Sequence, residues 1–126
     1  MDFSNEPSQA EIDRLKAQNP ERALKLLTLA EENGEVLHFI VSGPNRSEYE
    51  KLSEDVLKFE KPGISELDKT NGIKKAMETL ALQQIRWPER AQVVALFDKY
   101  PTISVSIGAK VREYAGDSFE VRSKKL

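Results

Sequence analysis

A chain of 126 residues is expected to form one domain with a real hydrophobic core, and its lack of cysteine excludes disulfides and thiolate chemistry. Its 19 basic and 21 acidic side chains nearly cancel, leaving a net charge of -2, whereas a sequence-independent DNA binder needs a basic surplus to displace phosphate counterions. Charged residues make up 32% of the chain, so solvated helix faces are expected, and no apolar run approaches the ~20 residues that span a bilayer.

Residues 1–7 are polar and acidic and read as a disordered lead-in. They lack the basic and apolar regions of a signal peptide, so the protein is expected to stay in the compartment where it is made. A single globular domain is expected over 8–116, with a flexible tail over 117–126 in which the alternation of Phe119 and Val121 allows a weak strand. Ser8 offers an N-cap with Glu11 three residues on, the pattern of a capping box. Ala10, Ile12, Leu15 and Ala17 give a short helix, which Asn19-Pro20 ends because a residue before proline avoids the α region.

Residues 22–42 admit two readings. Arg22 to Glu32 is rich in helix formers, and a helix ending at Gly34 is one of them. Asn33-Gly34 is also a strong two-residue hairpin signal, and Val36 to Val41 has strand composition. The hairpin is favoured, with Ala30 opposite Leu37, Thr28 opposite Phe39 and Leu26 opposite Val41. That register puts Leu24, Leu26, Thr28, Ala30, Leu37, Phe39 and Val41 on one face, nearly all apolar.

Ser42-Gly43-Pro44-Asn45 is a turn, and Asn45 or Ser47 caps a helix running to about Phe59 on a stripe of Tyr49, Leu52, Val56 and Phe59. A loop follows to about residue 68. A long helix is expected from about Asn71 to Arg86, with Ile73, Ala76, Met77, Leu80, Ala81, Gln84 and Ile85 inward. Pro88 is read as the first-turn residue of the next helix, carried by Val93, Val94, Leu96 and Phe97. Tyr100-Pro101 stops that helix and opens the last one, which ends with Gly116 at the C′ position. The fold class is therefore α+β and mainly helical, an N-terminal helix and hairpin packed on about four helices. The predicted core is Leu26, Phe39, Val41, Leu52, Val56, Met77, Leu80, Leu96, Phe97, Ile103, Ile107 and Val111.

No catalytic constellation is visible. The single histidine, His38, lies in a strand with no serine-elbow motif near it and reads as a surface or rim residue rather than a base. One histidine and no cysteine rule out the usual zinc sites, and the acidic pairs Glu31–Glu32 and Glu54–Asp55 read as solvated rather than as cation ligands. The strand-to-helix turn before Arg46 has one glycine and no Lys-Ser or Lys-Thr, so it is not a Walker loop. Arg46 there is either an anion contact or an exposed turn residue. Trp87, between two helices, is either a binding hot spot or the wedge that sets their angle. Lys74, Lys75, Lys124 and Lys125 form no basic stripe with aromatics, so single-stranded nucleic acid is unsupported as a partner. Ile103, Val105, Ile107, Val111 and Tyr114 wrap more than one stripe of the last helix, which offers a face for a partner helix or a second copy.

Three features occur in order: a short helix and hairpin ending in Phe39-Ile40-Val41, the helix start Pro44-Asn45-Arg46-Ser47-Glu48-Tyr49, and a helical half with Trp87-Pro88-Glu89. In that half, Phe97-Asp98-Lys99-Tyr100-Pro101 leads into a helix closed by Ala115-Gly116. Over about residues 10–116 this layout resembles the small tail assembly chaperones of long-tailed phages and prophages, encoded between the tail-tube and tape-measure genes. The resemblance implies a non-enzymatic chaperone in the cytoplasm of the bacterial host. Such a chaperone binds the long, helical, apolar tape-measure protein and keeps it soluble until tube protein polymerises around it. It carries over no catalytic residue, cofactor or metal. The alternative it leaves open is a structural tail or head-tail component retained in the particle. Trp87, Val105, Tyr114 and Arg46 are the expected protein-binding residues, and a homo-oligomer fits a long client with repeated sites.

Overall fold

Helix starts follow the caps that the sequence supplies. In the computed structural model, which describes residues 6–30, 34, 36–115 and 122–126, helix α1 spans Gln9–Gln18. The Ser8 hydroxyl accepts from the Glu11 N–H at 3.1 Å, and the Glu11 carboxylate accepts from the Ser8 N–H at 3.0 Å, a complete capping box. Helix α2, Arg46–Leu57, repeats the device with Asn45 and Glu48. Helix α3, Glu66–Gln84, starts about five residues earlier than the apolar pattern indicated, because the Ser65 hydroxyl caps the Asp68 N–H at 3.1 Å. Helix α4 is Arg90–Lys99, and α5 is Pro101–Glu113 with its proline in the first turn. Pro88 is not in the first turn of α4. It is buried ahead of the N-cap, Glu89, and the Trp87–Pro88 peptide is cis.

Residues 22–32 are not one helix. Strand β1, Leu24–Ala30, pairs antiparallel with β2, Val36–Ser42. The register is one residue away from that expected: Ala30 stands opposite Val36, Leu29 opposite Leu37 and Leu27 opposite Phe39. The connection is thus the five residues 31–35, with Gly34 at φ +85°, instead of a two-residue turn; Asn33 lies outside the described residues. A one-residue slip exchanges every side chain between faces. Leu27 and Leu29 therefore join the core face, and Leu26, expected in the core, is 48% exposed. Leucines on both faces of β1 made its own pattern unable to choose.

A third strand, β3, Ile85–Trp87, follows α3 with no intervening residue and adds antiparallel to β2, giving the order β1-β2-β3. Ile40 opposes Trp87 and Val41 opposes Ile85, with a bulge between them. The expected helix to Arg86 therefore ends at Gln84.

The core lies between the inner sheet face, Leu37, Phe39 and Val41, and the helical layer, where Leu52, Met77, Leu80, Val93, Leu96, Phe97, Ile107 and Val111 are buried. Val56 and Ile103 from the expected core are only partly buried, as is Val105, while Tyr49 and Val94 are exposed. Helices α3 and α5 pack most extensively. At their crossing a Cβ on Gly108 would fall onto the Met77 carbonyl group, 2.6 Å from its carbon and 2.9 Å from Cα. Only a residue without a side chain permits that approach. On the outer sheet face Leu15 and Ile40 are buried apart from the main cluster. Trp87 shares that face with Ile40, and its indole N–H donates to the Glu11 carboxylate at 2.7 Å, which ties α1 across the sheet.

Pro7, the last residue of the expected lead-in, is buried, and residues 122–126 are exposed without regular structure. The expected Gly116 terminus and the strand over Phe119–Val121 fall outside the described residues, as do the rest of 1–7 apart from Glu6 and Pro7. No helix among the described residues is long and apolar enough to cross a membrane.

Candidate functional site

Two arrangements stand out, one polar and one apolar. The polar one sits where β2 turns into α2 and α3 turns into β3. Gln84, fully buried as the last residue of α3, accepts on its side-chain oxygen from the Ser42 hydroxyl at 2.7 Å and from Arg22 at 2.9 Å. Arg22 also pairs with Glu48 at 2.9 Å, and Arg86 donates to the Ser42 hydroxyl at 3.1 Å. Burial alone would push the Glu48 carboxyl up. The Asn45 N–H and the Arg22 guanidinium outweigh it and hold the group below the usual carboxylate range. Burial and the neighbouring Arg22 charge lower the Arg86 guanidinium, which remains protonated at neutral pH. The cluster fastens three chain crossings to one another. Its one hydroxyl, Ser42, donates to Gln84 and accepts from Arg86, and the cluster's polar groups are used on one another.

The apolar arrangement is a groove between β1 and α5. Helix α5 runs antiparallel to β1, so Pro101 to Ile103 lie beside Leu29 and Ala30, while Ser106, Ile107 and Lys110 lie beside Leu27 to Leu29. At the first end a pocket of about 400 Å³ is walled by Leu29, Leu37, Tyr100, Pro101 and Ile103, with the exposed Lys99, Thr102 and Ala30 completing its lining. Further along, a cavity of about 270 Å³ opens between Leu27, Leu29, Ile107 and Lys110. The far end is marked by Tyr114, whose ring lies under the Lys25 ammonium at 4.5 Å and the Lys110 ammonium at 5.9 Å. β1 is an edge strand of the sheet, and the groove runs along it where α5 passes its core-facing side.

Of the expected binding residues, Tyr114 borders this groove. Val105 is on the same helix but packs partly against the core, away from the Ile103, Ser106, Ile107, Lys110 stripe that lines the groove. Trp87 stands at the opposite sheet edge, held to α1 instead of wedged between α3 and α4. Arg46 is in the first turn of α2, with its side chain almost wholly exposed and paired with Glu50 at 2.9 Å. The four therefore do not converge on one surface. Sequence reasoning missed Leu27, Leu29, Tyr100 and Pro101 as lining residues. The signal for them was the run of leucines on both faces of β1 beside an unprotected edge.

His38 is buried rather than at a rim, with Nδ1 3.2 Å from the Thr28 hydroxyl on the neighbouring strand. A hydroxyl beside an imidazole has the composition of a nucleophile–base pair, but a working pair also needs a third group that orients the ring. None of the described residues supplies one. Of the acidic pairs, Asp55 is taken up by Lys51 at 3.2 Å and Lys58 at 3.4 Å, and Glu31 and Glu32 lie outside the described residues. Among the described residues no three His, Asp or Glu side chains gather as metal ligands would.

No family model, no curated protein and no solved structure matches the chain. Its own geometry and the sequence resemblance are therefore what bear on its function.

Proposed function

We propose that this protein works by binding, without catalysis, and that it takes an apolar segment of a longer protein into the groove between β1 and α5. The observation that carries the reading is the pocket of about 400 Å³ at the Tyr100-Pro101 corner, open to solvent and walled by aliphatic and aromatic side chains with Lys99 and Thr102 among its lining. Such a concavity accepts the anchor residues of an amphipathic helix. The resemblance to phage tail assembly chaperones supplies the client, the tape-measure protein, and the setting, the cytoplasm of the bacterial host. A long apolar client that aggregates when uncovered needs the kind of surface that the groove offers.

The test is co-expression with a tape-measure protein, comparing Thr102→Arg with the parent. Thr102 is an exposed rim residue, so a long charged side chain there obstructs the pocket without entering the core. The parent is expected to keep the client soluble and to co-purify with it, and the variant to lose most of both. Equal insolubility of the client with and without the parent refutes the reading. Recovery of the chain in purified particles supports the structural-component alternative instead.

A further inference from the structure

We propose that the outer edge of β1 is the contact surface of a homodimer. In it β1 pairs antiparallel with β1 of a second copy about a two-fold axis at Leu27, so that two three-stranded sheets become one of six strands. In the dimer the second copy would run along the β1 side of the groove assigned to the client above, so the oligomeric state is read on the chain without client.

The two sheet edges differ. β3 is three residues long and runs directly into a buried proline, so it offers little to pair with. β1 is seven residues long, contains no proline, pairs with β2 without a bulge and carries one charge, Lys25. Soluble proteins protect an exposed edge with shortness, proline, bulges or charges, and of these devices β1 has Lys25 alone. Among the described residues no strand covers its outer side.

The strand is complementary to itself. Pairing about Leu27 sets Leu24 opposite Ala30, Lys25 opposite Leu29, Leu26 opposite Thr28 and Leu27 opposite its own copy. No like charges meet, and every opposing pair contains a leucine. The chemistry of each face also matches. Leu27 and Leu29 lie on the core-facing side, and beyond the edge that side opens into the cavity walled by Leu27, Leu29 and Ile107. Leu27 of the second copy would enter that space, apolar against apolar, and the methylene stem of its Lys25 would lie along Leu29. On the outer face Thr28 of the second copy would lie against Leu26, one of the few large apolar residues left exposed. Lys110, at the cavity's border, already pairs with Glu113 at 3.2 Å, so its charge is balanced locally.

The size is adequate. Seven strand residues extend over about 23 Å, and the thirteen residues of α5 over about 20 Å. A strand edge and a helix flank of that length, side by side, approach the roughly 800 Å² per subunit of a standard interface. That is about a tenth of the chain's 8855 Å² of accessible surface.

The chain has no cysteine, so single cysteines report the register directly. Directly opposed residues have Cα atoms about 4.5–5.5 Å apart, within disulfide reach. The parent is expected to show twice its monomer mass of 14.3 kDa by light scattering. Leu27→Cys is expected to give a disulfide-linked dimer on mild oxidation, and Ala30→Cys is not, because two copies of residue 30 lie about 20 Å apart in this register. Leu26→Lys with Thr28→Lys sets ammonium groups opposite each other and should dissociate the dimer. Leu26→Lys with Thr28→Glu, at the same positions, should restore it. A monomeric parent overturns the proposal. So does a dimer that survives the double lysine change, or Ala30→Cys cross-linking as well as Leu27→Cys. If the parent is monomeric and its β1 amides resist hydrogen exchange, the edge is covered by the chain's own residues, which equally overturns it.

Discussion

Gly108→Ala decides whether the α3–α5 crossing is as close as the structure has it. Taken by helix propensity alone, the change should stabilise α5 by about 1 kcal/mol, since glycine is the poorer helix former. The structure opposes this. The new methyl would meet backbone of Met77, the carbonyl carbon at 2.6 Å and Cα at 2.9 Å, and backbone cannot rotate away as a side-chain tip can. The helices must part by nearly 1 Å, and Ser104, Ile107 and Val111, all buried, lose contact when they do. A gap of ~0.5–1 Å forfeits a quarter to a half of each contact's attraction. Overpacking of this kind typically costs about 1–3 kcal/mol, here at its upper end because two rigid elements move together. With the propensity gain subtracted, a net loss of about 1–2 kcal/mol is expected, or roughly 3–8 °C in Tm for a chain of this size. Gly72→Ala is the matched control. It too lies inside a helix, but the nearest atoms its Cβ would meet belong to the ring of Phe59, a half-buried side chain beyond α2 that can swing aside. It should be neutral or slightly stabilising. Urea unfolding of the two variants beside the parent gives the comparison. If Gly108→Ala is more stable than the parent by the propensity gain, the close crossing is refuted.

Three other expectations follow from the polar contacts. Gln84→Leu, similar in size, removes one side-chain acceptor of Arg22 and leaves the Ser42 hydroxyl only the longer contact to the residue-84 carbonyl at 3.5 Å, and should cost about 2–4 kcal/mol, at roughly 1–3 per unsatisfied group, measured by urea unfolding. Glu48 has its folded-state carboxyl lowered, so its contribution to stability is complete above the ordinary value of 4.5 and is lost as the pH falls through the lower folded value. The Tm gap between parent and Glu48→Gln should therefore be widest at neutral pH and close on acidification below 4.5; a gap that widens there reverses the sign and refutes the pairing with Arg22. Trp87→Phe keeps a ring at the sheet edge but removes the indole N–H, which together with the Ser8 N–H holds the Glu11 carboxyl low. Hydrogen exchange should speed up in α1 while the α3–α5 amides keep their rates.

The starts of α1, α2 and α5 were legible because their signals are local, whereas neither the Ser65 cap of α3 nor the place of Pro88 ahead of α4 was. Ser8 with Glu11 and Asn45 with Glu48 are caps that operate within four residues, and Pro101 opens α5 by the same short-range logic. The inner face of β2 was legible because Leu37, Phe39 and Val41 alternate. What failed was decided at long range. The β1 register depends on which leucines the helical layer accepts, and a strand with Leu24, Leu26, Leu27 and Leu29 does not state that by itself. Strand β3 is three residues that look like the end of a helix until β2 lies alongside them. The groove was illegible for the same reason: β1 and α5 are more than seventy residues apart in sequence, and no local pattern brings Leu29 beside Ile103. Of the four residues expected to bind, only Tyr114 borders it.

The junction of α3 and β3 has a mechanical consequence. With no residue between them, helix and strand share one rigid piece of backbone, and Gln84 clamps that joint to Ser42 and Arg22. A helix joined to a sheet by a loop can roll on it independently. Here a turn of α3 about its axis would drag β3 with it, swing Trp87, and load the indole's bond to Glu11 on α1. Since α5 meshes with α3 through Gly108, anything that levers α5 outward at the groove is transmitted through this train to the far side of the sheet. The single tryptophan sits at the end of that train, so its emission is a gauge of strain applied more than one element away.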